Sequence, residues 1–198
     1  HRDLHLSIRR QRQMCIRDRD GIYLHYKLLA ENSPVPIILY NVPGRTSSNI
    51  TAETTLRLAK NFSNIVAIKE ASGDMQQVMK IIKDKPKRFV LLSGDDALTL
   101  PIIHMGGSGV ISVLAQSHPK EFSKMVRLSL NKNIKDSNKI HFSLYDYYEP
   151  LFDDGNPSGI KALLELKNIC SSHVRPPLVK ARKETVSNLK KILKNLTL

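Results

Sequence analysis

From residue 21 onward the chain alternates between two hydrophobic periods. Ile22, Tyr26 and Leu29 recur on one helical face, and Pro34 and Pro36 stop that helix. A continuous apolar run follows, Pro36-Ile-Ile-Leu-Tyr40, and three more lie at Ile65-Val-Ala-Ile-Lys69, Phe89-Val-Leu-Leu-Ser93 and Gly109-Val-Ile-Ser-Val-Leu114. None alternates apolar with polar positions, so each is expected to be a strand covered on both faces, as parallel strands are. Between the runs lie helical patterns. Thr51 is placed to cap a helix reaching about Asn61. Asp74-x-x-Gln77 is a variant capping box opening a helix with Met75, Val78, Met79 and Ile82 inward. A short helix from about Pro101 ends at Gly106-Gly107.

The four runs start near residues 36, 65, 89 and 109, spacings of 29, 24 and 20 residues, the size of βα units. After residue 114 the pattern is all helical: Pro119 to about Leu130, Ile134 to about Leu151, Pro157 to Ile169, and Lys183 to Leu196. The expected class is therefore α/β, four parallel strands followed by a C-terminal helical region. A dinucleotide-binding sheet would carry a Gly-rich phosphate turn after its first strand. No G-x-G-x-x-G or Walker sequence occurs here.

Residues 1–19, HRDLHLSIRRQRQMCIRDR, follow neither period and are dense in Arg. Leu4 to Ile8 is broken by His5 and Ser7 with no small-residue cleavage site after it, so a signal peptide is not indicated. The run RRQRQMCIRDR resembles translated sequencing-adapter sequence, and residues 1–19 are set aside as a foreign or disordered leader. His1 and His5 have helical metal-ligand spacing, but a pair in such a leader carries no site.

The leader also changes the meaning of the charge. The net charge of +13 divides into +3 for residues 1–20, +6 for residues 175–198 and only +4 for residues 21–174. Basicity at the termini, without a recognition helix, zinc finger or aromatic strand motif, argues against nucleic-acid binding. With 198 residues, 41% of them hydrophobic, the chain is long enough for a sizeable core, and no apolar run approaches a membrane span. Cys15 and Cys170 form neither a disulfide framework nor a zinc spacing, which fits a reducing cytoplasm.

The chemistry collects at the C-terminal ends of the strands. Tyr40 ends the first and Lys69 the second, Gly94-Asp95-Asp96 follows the third, and Gly107-Ser-Gly109 opens the fourth. In α/β barrels the active site gathers at this end. A lysine there would keep its stem in the barrel and its amine in a low-dielectric pocket. Burial favours the neutral amine that attacks a carbonyl. Taken singly, a lysine after a strand more often begins a solvated loop, and a tyrosine at Tyr40's position is more often a core aromatic. Asp95-Asp96 lacks a third metal ligand and reads as a cap and loop. The stripe Val186, Leu189, Ile192, Leu193 and Leu196, opposite Lys190, Lys191 and Lys194, reads as a helix packed on its own domain rather than on a membrane.

Several motifs in succession remove that ambiguity. Tyr40-Asn-Val-Pro-Gly-Arg-Thr46, Ile68-Lys-Glu-Ala-Ser-Gly-Asp74, Leu92-Ser-Gly-Asp-Asp-Ala97 and Gly109-Val-Ile-Ser-Val113 closely resemble the dihydrodipicolinate synthase family. Gly155-Asn-Pro-Ser-Gly-Ile-Lys-Ala162 and Val174-Arg-Pro-Pro-Leu-Val179 resemble its C-terminal helical region. The likeness covers about residues 20–198. It implies a class I aldolase-type lyase of lysine and diaminopimelate biosynthesis, built on a (β/α)8 TIM barrel. Lys69 matches the lysine that forms a Schiff base with pyruvate, and Tyr40 the tyrosine that relays protons. Arg45 matches the arginine holding the carboxylate of aspartate semialdehyde, a task suited to a planar guanidinium fork. The backbone at Ile111 matches the part meeting the pyruvate carboxylate, its side chain being core. The resemblance implies no catalytic metal and no separate cofactor, the covalent adduct forming on Lys69 itself. For an intact member it implies a cytoplasmic homotetramer, a dimer of dimers.

A complete barrel takes about 250 residues, and only four strands are legible here. The family's Gly-Thr-Thr-Gly-Glu stretch does not occur in the sequence. The expectation is a truncated enzyme: residues 20–130 as strands 5 to 8 of the barrel, residues 131–198 as the helical region, and little activity from this polypeptide by itself. Two alternatives stay open. One is another pyruvate-dependent aldolase or lyase of the same superfamily, acting on N-acetylneuraminate or a keto sugar acid. The other is a non-catalytic module with a basic tail.

Overall fold

The computed structural model describes residues 19–195. His1, His5, Cys15, the rest of the leader before Arg19, and Leu196 lie outside the described residues. The described part divides into two compact units, residues 19–95 with 105–109, and residues 96–104 with 110–195.

The first unit begins with helix α1 (Arg19–Asn32), whose first turn is tied to the chain ahead by two exposed ion pairs, Arg19 to Glu53 at 3.1 Å and Asp20 to Arg57 at 2.9 Å. Ile22 and Ala30 are buried, whereas Leu29, expected on the inward face, is exposed. Strand β1 (Ile37–Asn41), the single turn α2 (Pro43–Thr46), helix α3 (Ala52–Asn61), strand β2 (Ile65–Glu70), helix α4 (Met75–Asp84) and strand β3 (Val90–Ser93) follow. Thr51 caps α3 as its position predicts, accepting from the Thr54 N–H. Asp74 caps α4 by accepting from the N–H groups of Gln76 and Gln77.

Strand order is β1-β2-β3-β4, with β4 (Gly109–Val110) reached through the Ser108 N–H donating to the Leu91 carbonyl at 2.9 Å. The β1–β2 and β2–β3 pairs are parallel. Register aligns Leu39, Ile68 and Leu91, then Asn41, Glu70 and Ser93, on one face. All six are buried. The other face carries Ile38, Ala67 and Val90, then Tyr40, Lys69 and Leu92. There Ile38 is 48% and Tyr40 43% exposed, and Lys69, Val90 and Leu92 are half-buried.

The expectation that every strand is covered on both faces therefore fails in this chain. The apolar runs supply two hydrophobic faces, but among the described residues only one is fully covered. Two further expectations change. Gln77 does not return to the helix start as a capping box would. Its side chain turns inward, and Ile81 rather than Met79 completes the buried face with Val78. The strand read over residues 109–114 shortens to two residues.

That shortening has a cause in the second unit. The buried Asp96 carboxylate accepts from the N–H of Val113 at 3.1 Å and of Leu114 at 2.7 Å, bending the chain into a 3-10 turn over Leu114–Gln116. Asp96 thus serves the loop, as its pairing with Asp95 predicts. Helices α5 (Thr99–His104), α6 (Pro119–Leu130), α7 (Ile134–Leu144), α8 (Ser158–Leu166) and α9 (Lys183–Asn195) complete the unit. The helix expected to reach Leu151 ends at Leu144, gives way to a 3-10 turn over Tyr145–Tyr147, and puts Tyr147 and Leu151 into the core. That core gathers Leu114, Phe122, Met125, Leu144, Leu163 and Leu189, with Val186, Ile192 and Leu193 of α9 packed against it. The C-terminal stripe is therefore a packing face. No helix among the described residues is long and apolar enough to cross a membrane.

Candidate active site

The register that pairs Tyr40 with Lys69 brings together the two residues singled out at the strand ends. The Lys69 Nζ lies 4.2 Å from the centroid of the Tyr40 ring, over its face. An aromatic face attracts an ammonium and offers an apolar wall to a neutral amine. Lys69 is half-buried rather than spread into solvent.

Its stem is confined from β3. A Cβ built on Gly94 would stand 3.0 Å from the Lys69 Cε, 3.1 Å from its Cγ and 2.7 Å from the Ala71 Cβ. The Gly94 N–H donates to the Glu70 carbonyl at 2.7 Å, so the backbone turning out of β3 lies directly against the lysine strand. Only a residue without a side chain fits there.

On the opposite face, one residue along, Glu70 is 1% exposed. Its carboxylate accepts from Asn41 Nδ2 at 3.0 Å to each oxygen, from Gln77 Nε2 at 3.0 Å and from the Ser72 N–H at 2.7 Å. Asn49 joins the cluster, accepting from Asn41 at 2.8 Å and donating to Gln77 at 3.0 Å. Sequence reasoning passed over Gly94 as a site residue, did not single out Glu70, Asn41 or Asn49, and read Gln77 only as part of a helix cap. One signal was present: in Ile65-Val-Ala-Ile-Lys-Glu70 the glutamate shares strand parity with Ile68, a core position.

Arg45 sits in α2, on the turn that leaves β1 just after Tyr40, with an exposed side chain that makes no ion pair among the described residues. Its N–H donates to the Val42 carbonyl at 3.0 Å, and Ser47 closes the turn in the left-handed region at φ 53°. Ile111 belongs to the second unit, immediately after β4. Its side chain is 42% exposed, not the core residue expected, because the chain is already leaving the sheet toward the Asp96 anchor. Among the described residues no group of three or more His, Cys, Asp or Glu could hold a metal ion.

Known proteins resemble this chain in sequence and in fold. The family model described as "Dihydrodipicolinate synthetase family" matches residues 17–196. The 4-hydroxy-tetrahydrodipicolinate synthase of Flavobacterium psychrophilum is 49% identical over 179 residues, 90% of this chain and 61% of that protein. The enzyme of the same name from Phocaeicola vulgatus is 48% identical, covering 90% of this chain and 60% of its own length. Among solved structures, dihydrodipicolinate synthase from Aquifex aeolicus superposes with a TM-score of 0.86 at 36% identity, over 91% of this chain and 62% of its own. That from Thermotoga maritima gives 0.87 at 35% identity, over 89% and 61%. The chain thus spans about 60% of the length of the relatives it matches.

Proposed function

The chain belongs to the dihydrodipicolinate synthetase family, and on that premise we propose that it supplies the Schiff-base-forming part of a 4-hydroxy-tetrahydrodipicolinate synthase, a lyase condensing pyruvate with aspartate semialdehyde. The observation that carries this reading is the Lys69 amine held over the Tyr40 ring at the C-terminal ends of adjacent parallel strands.

The chemistry follows from that placement. The neutral Lys69 amine adds to the C2 carbonyl of pyruvate, forming a C–N bond, and the carbonyl oxygen departs as water after protonation. The resulting iminium draws electrons from the adjacent methyl, which loses a proton to give an enamine. The enamine carbon attacks the aldehyde carbon of the second substrate, and the new alkoxide takes up a proton. Displacement at the imine carbon by water or an amine then frees Lys69. Tyr40 is the proton carrier in this scheme, its ring fixed beside the reacting nitrogen. Arg45 binds the carboxylate of the semialdehyde.

On this reading residues 20–130 belong to the barrel and residues 131–198 to the helical region. The intact enzyme works in the cytoplasm as a homotetramer. The test is reduction with borohydride in the presence of pyruvate, followed by peptide mass spectrometry. A reduced pyruvyl adduct on Lys69, absent in Lys69→Ala, supports the aldolase chemistry. Tighter binding of aspartate semialdehyde than of sugar aldehydes to the pyruvate-loaded chain, read by titration calorimetry, with the difference lost in an Arg45→Ala chain that still captures pyruvate, supports the substrate. An adduct without that preference favours another pyruvate lyase of the same superfamily.

A further inference from the structure

The most unusual group outside the Lys69–Tyr40 pair is the Glu70 carboxylate. It is buried, and among the described residues no cation pairs with it. The groups that hydrogen-bond to it are neutral donors: the Asn41 and Gln77 amides and the Ser72 N–H. Burying a carboxylate is costly even when its hydrogen bonds are made, and an apolar residue at this position would stabilise a sheet-on-helix core more simply. A carboxylate does one thing no apolar residue does: it accepts several hydrogen bonds at once and donates none.

The donors it gathers come from separate elements. Asn41 is the last residue of β1, Ser72 lies in the loop after β2, and Gln77 is in the first turn of α4. Asn41 also accepts from the Ile50 N–H at 2.9 Å, and Gln77 donates to the Ile50 carbonyl at 3.3 Å, adding the segment before α3. The register makes the consequence specific. Asn41 pairs with Glu70, and the neighbouring pair along both strands is Tyr40 with Lys69, on the opposite face. A clamp between residues 41 and 70 therefore fixes the strand ends that carry residues 40 and 69.

We propose that Glu70 is a positioning residue for the Schiff-base lysine, its carboxylate fastening β1, β2 and α4 behind the sheet so that the Lys69 amine stays over the Tyr40 ring. The role rests on the aldolase reading for its purpose, but the geometry can be measured without pyruvate. Reductive methylation of the chain with 13C-formaldehyde places dimethylamino groups on its lysines. The Lys69 signal, assigned by its loss in Lys69→Arg, is expected upfield of the others from the Tyr40 ring current, and to join them in Tyr40→Leu.

In a Glu70→Gln chain with unchanged far-UV circular dichroism, the Lys69 signal moves to the common lysine position. Borohydride capture of pyruvate slows by about 10- to 100-fold at saturation, as misplacement of a reacting group by about 1 Å does. Half-saturating pyruvate changes less than about twofold, because the clamp does not touch the keto acid. Glu70→Gln combined with Gln77→Glu returns one carboxylate to the cluster, and both readouts recover. A folded Glu70→Gln chain whose Lys69 signal keeps its upfield position overturns the proposal. Should the single variant not fold, the swapped pair decides: fold and signal restored together support the clamp, and fold restored with the signal displaced overturns it. A parent chain that never captures pyruvate would instead refute the aldolase reading, leaving the ring-current result to judge Glu70 separately.

Discussion

Gly94 sets how closely β3 approaches Lys69. Its missing side chain is occupied by the Lys69 stem and by Ala71, so Gly94→Ala forces one of them aside. The expected outcome is a loss of about 1–3 kcal/mol in urea unfolding together with at least tenfold slower pyruvate capture. His118 offers a prediction of a different kind. Burial first, and the positive charge of Lys167 second, hold it down from 6.5 to about 4, with Glu121 opposing. The folded chain therefore keeps His118 neutral while the unfolded chain protonates it near 6.5. Stability present above about pH 6.5 is lost as the pH falls toward 4 and then levels off. That interval is worth roughly 3 kcal/mol. Unfolding free energies from pH 7 to pH 4 check it, and His118→Gln should flatten the slope. Lys69 was legible as a candidate only through the motifs around it, since a charge ending an apolar run more often opens a solvated loop. Glu70 was not, since the residue after such a lysine reads as the start of a solvated loop and only the register shows that it turns inward.

Elements followed the sequence where a local signal set their ends. Thr51 and Asp74 both cap the helices they precede, since a side-chain acceptor before a helical pattern acts within one turn. The misses share a physical origin in tertiary contacts. Gln77 left the capping box because Glu70 and Asn49 offered it partners, and the fourth strand ended early because Asp96 captured the N–H groups of Val113 and Leu114. Replacing Asp96 with Ala strands both donors and should cost about 2–3 kcal/mol, read as a lower urea midpoint.

For the whole molecule, the α/β class, the four parallel strands and the helical region were legible from the two hydrophobic periods. Which sheet face remains open was not, because an apolar run specifies two hydrophobic faces and says nothing of what covers them. In this chain Ile38 and Tyr40 stand on a face left largely uncovered, and β1 and β4 are the outer strands of the sheet. Exposed apolar surface and unpaired strand edges weaken the fold and invite association. The purified 198-residue chain is expected to show no condensation of pyruvate with aspartate semialdehyde above a Lys69→Ala background. Robust turnover would contradict that.

Covalent capture is less demanding than turnover, needing only the amine, its neighbours and a keto acid. Borohydride reduction of the chain with pyruvate, followed by peptide mapping, therefore tests the central claim most directly. The account predicts one reduced pyruvyl group on the peptide containing Lys69 and none in Lys69→Ala. Labelling spread over the surface lysines, with Lys69 no more reactive than the rest, would contradict it.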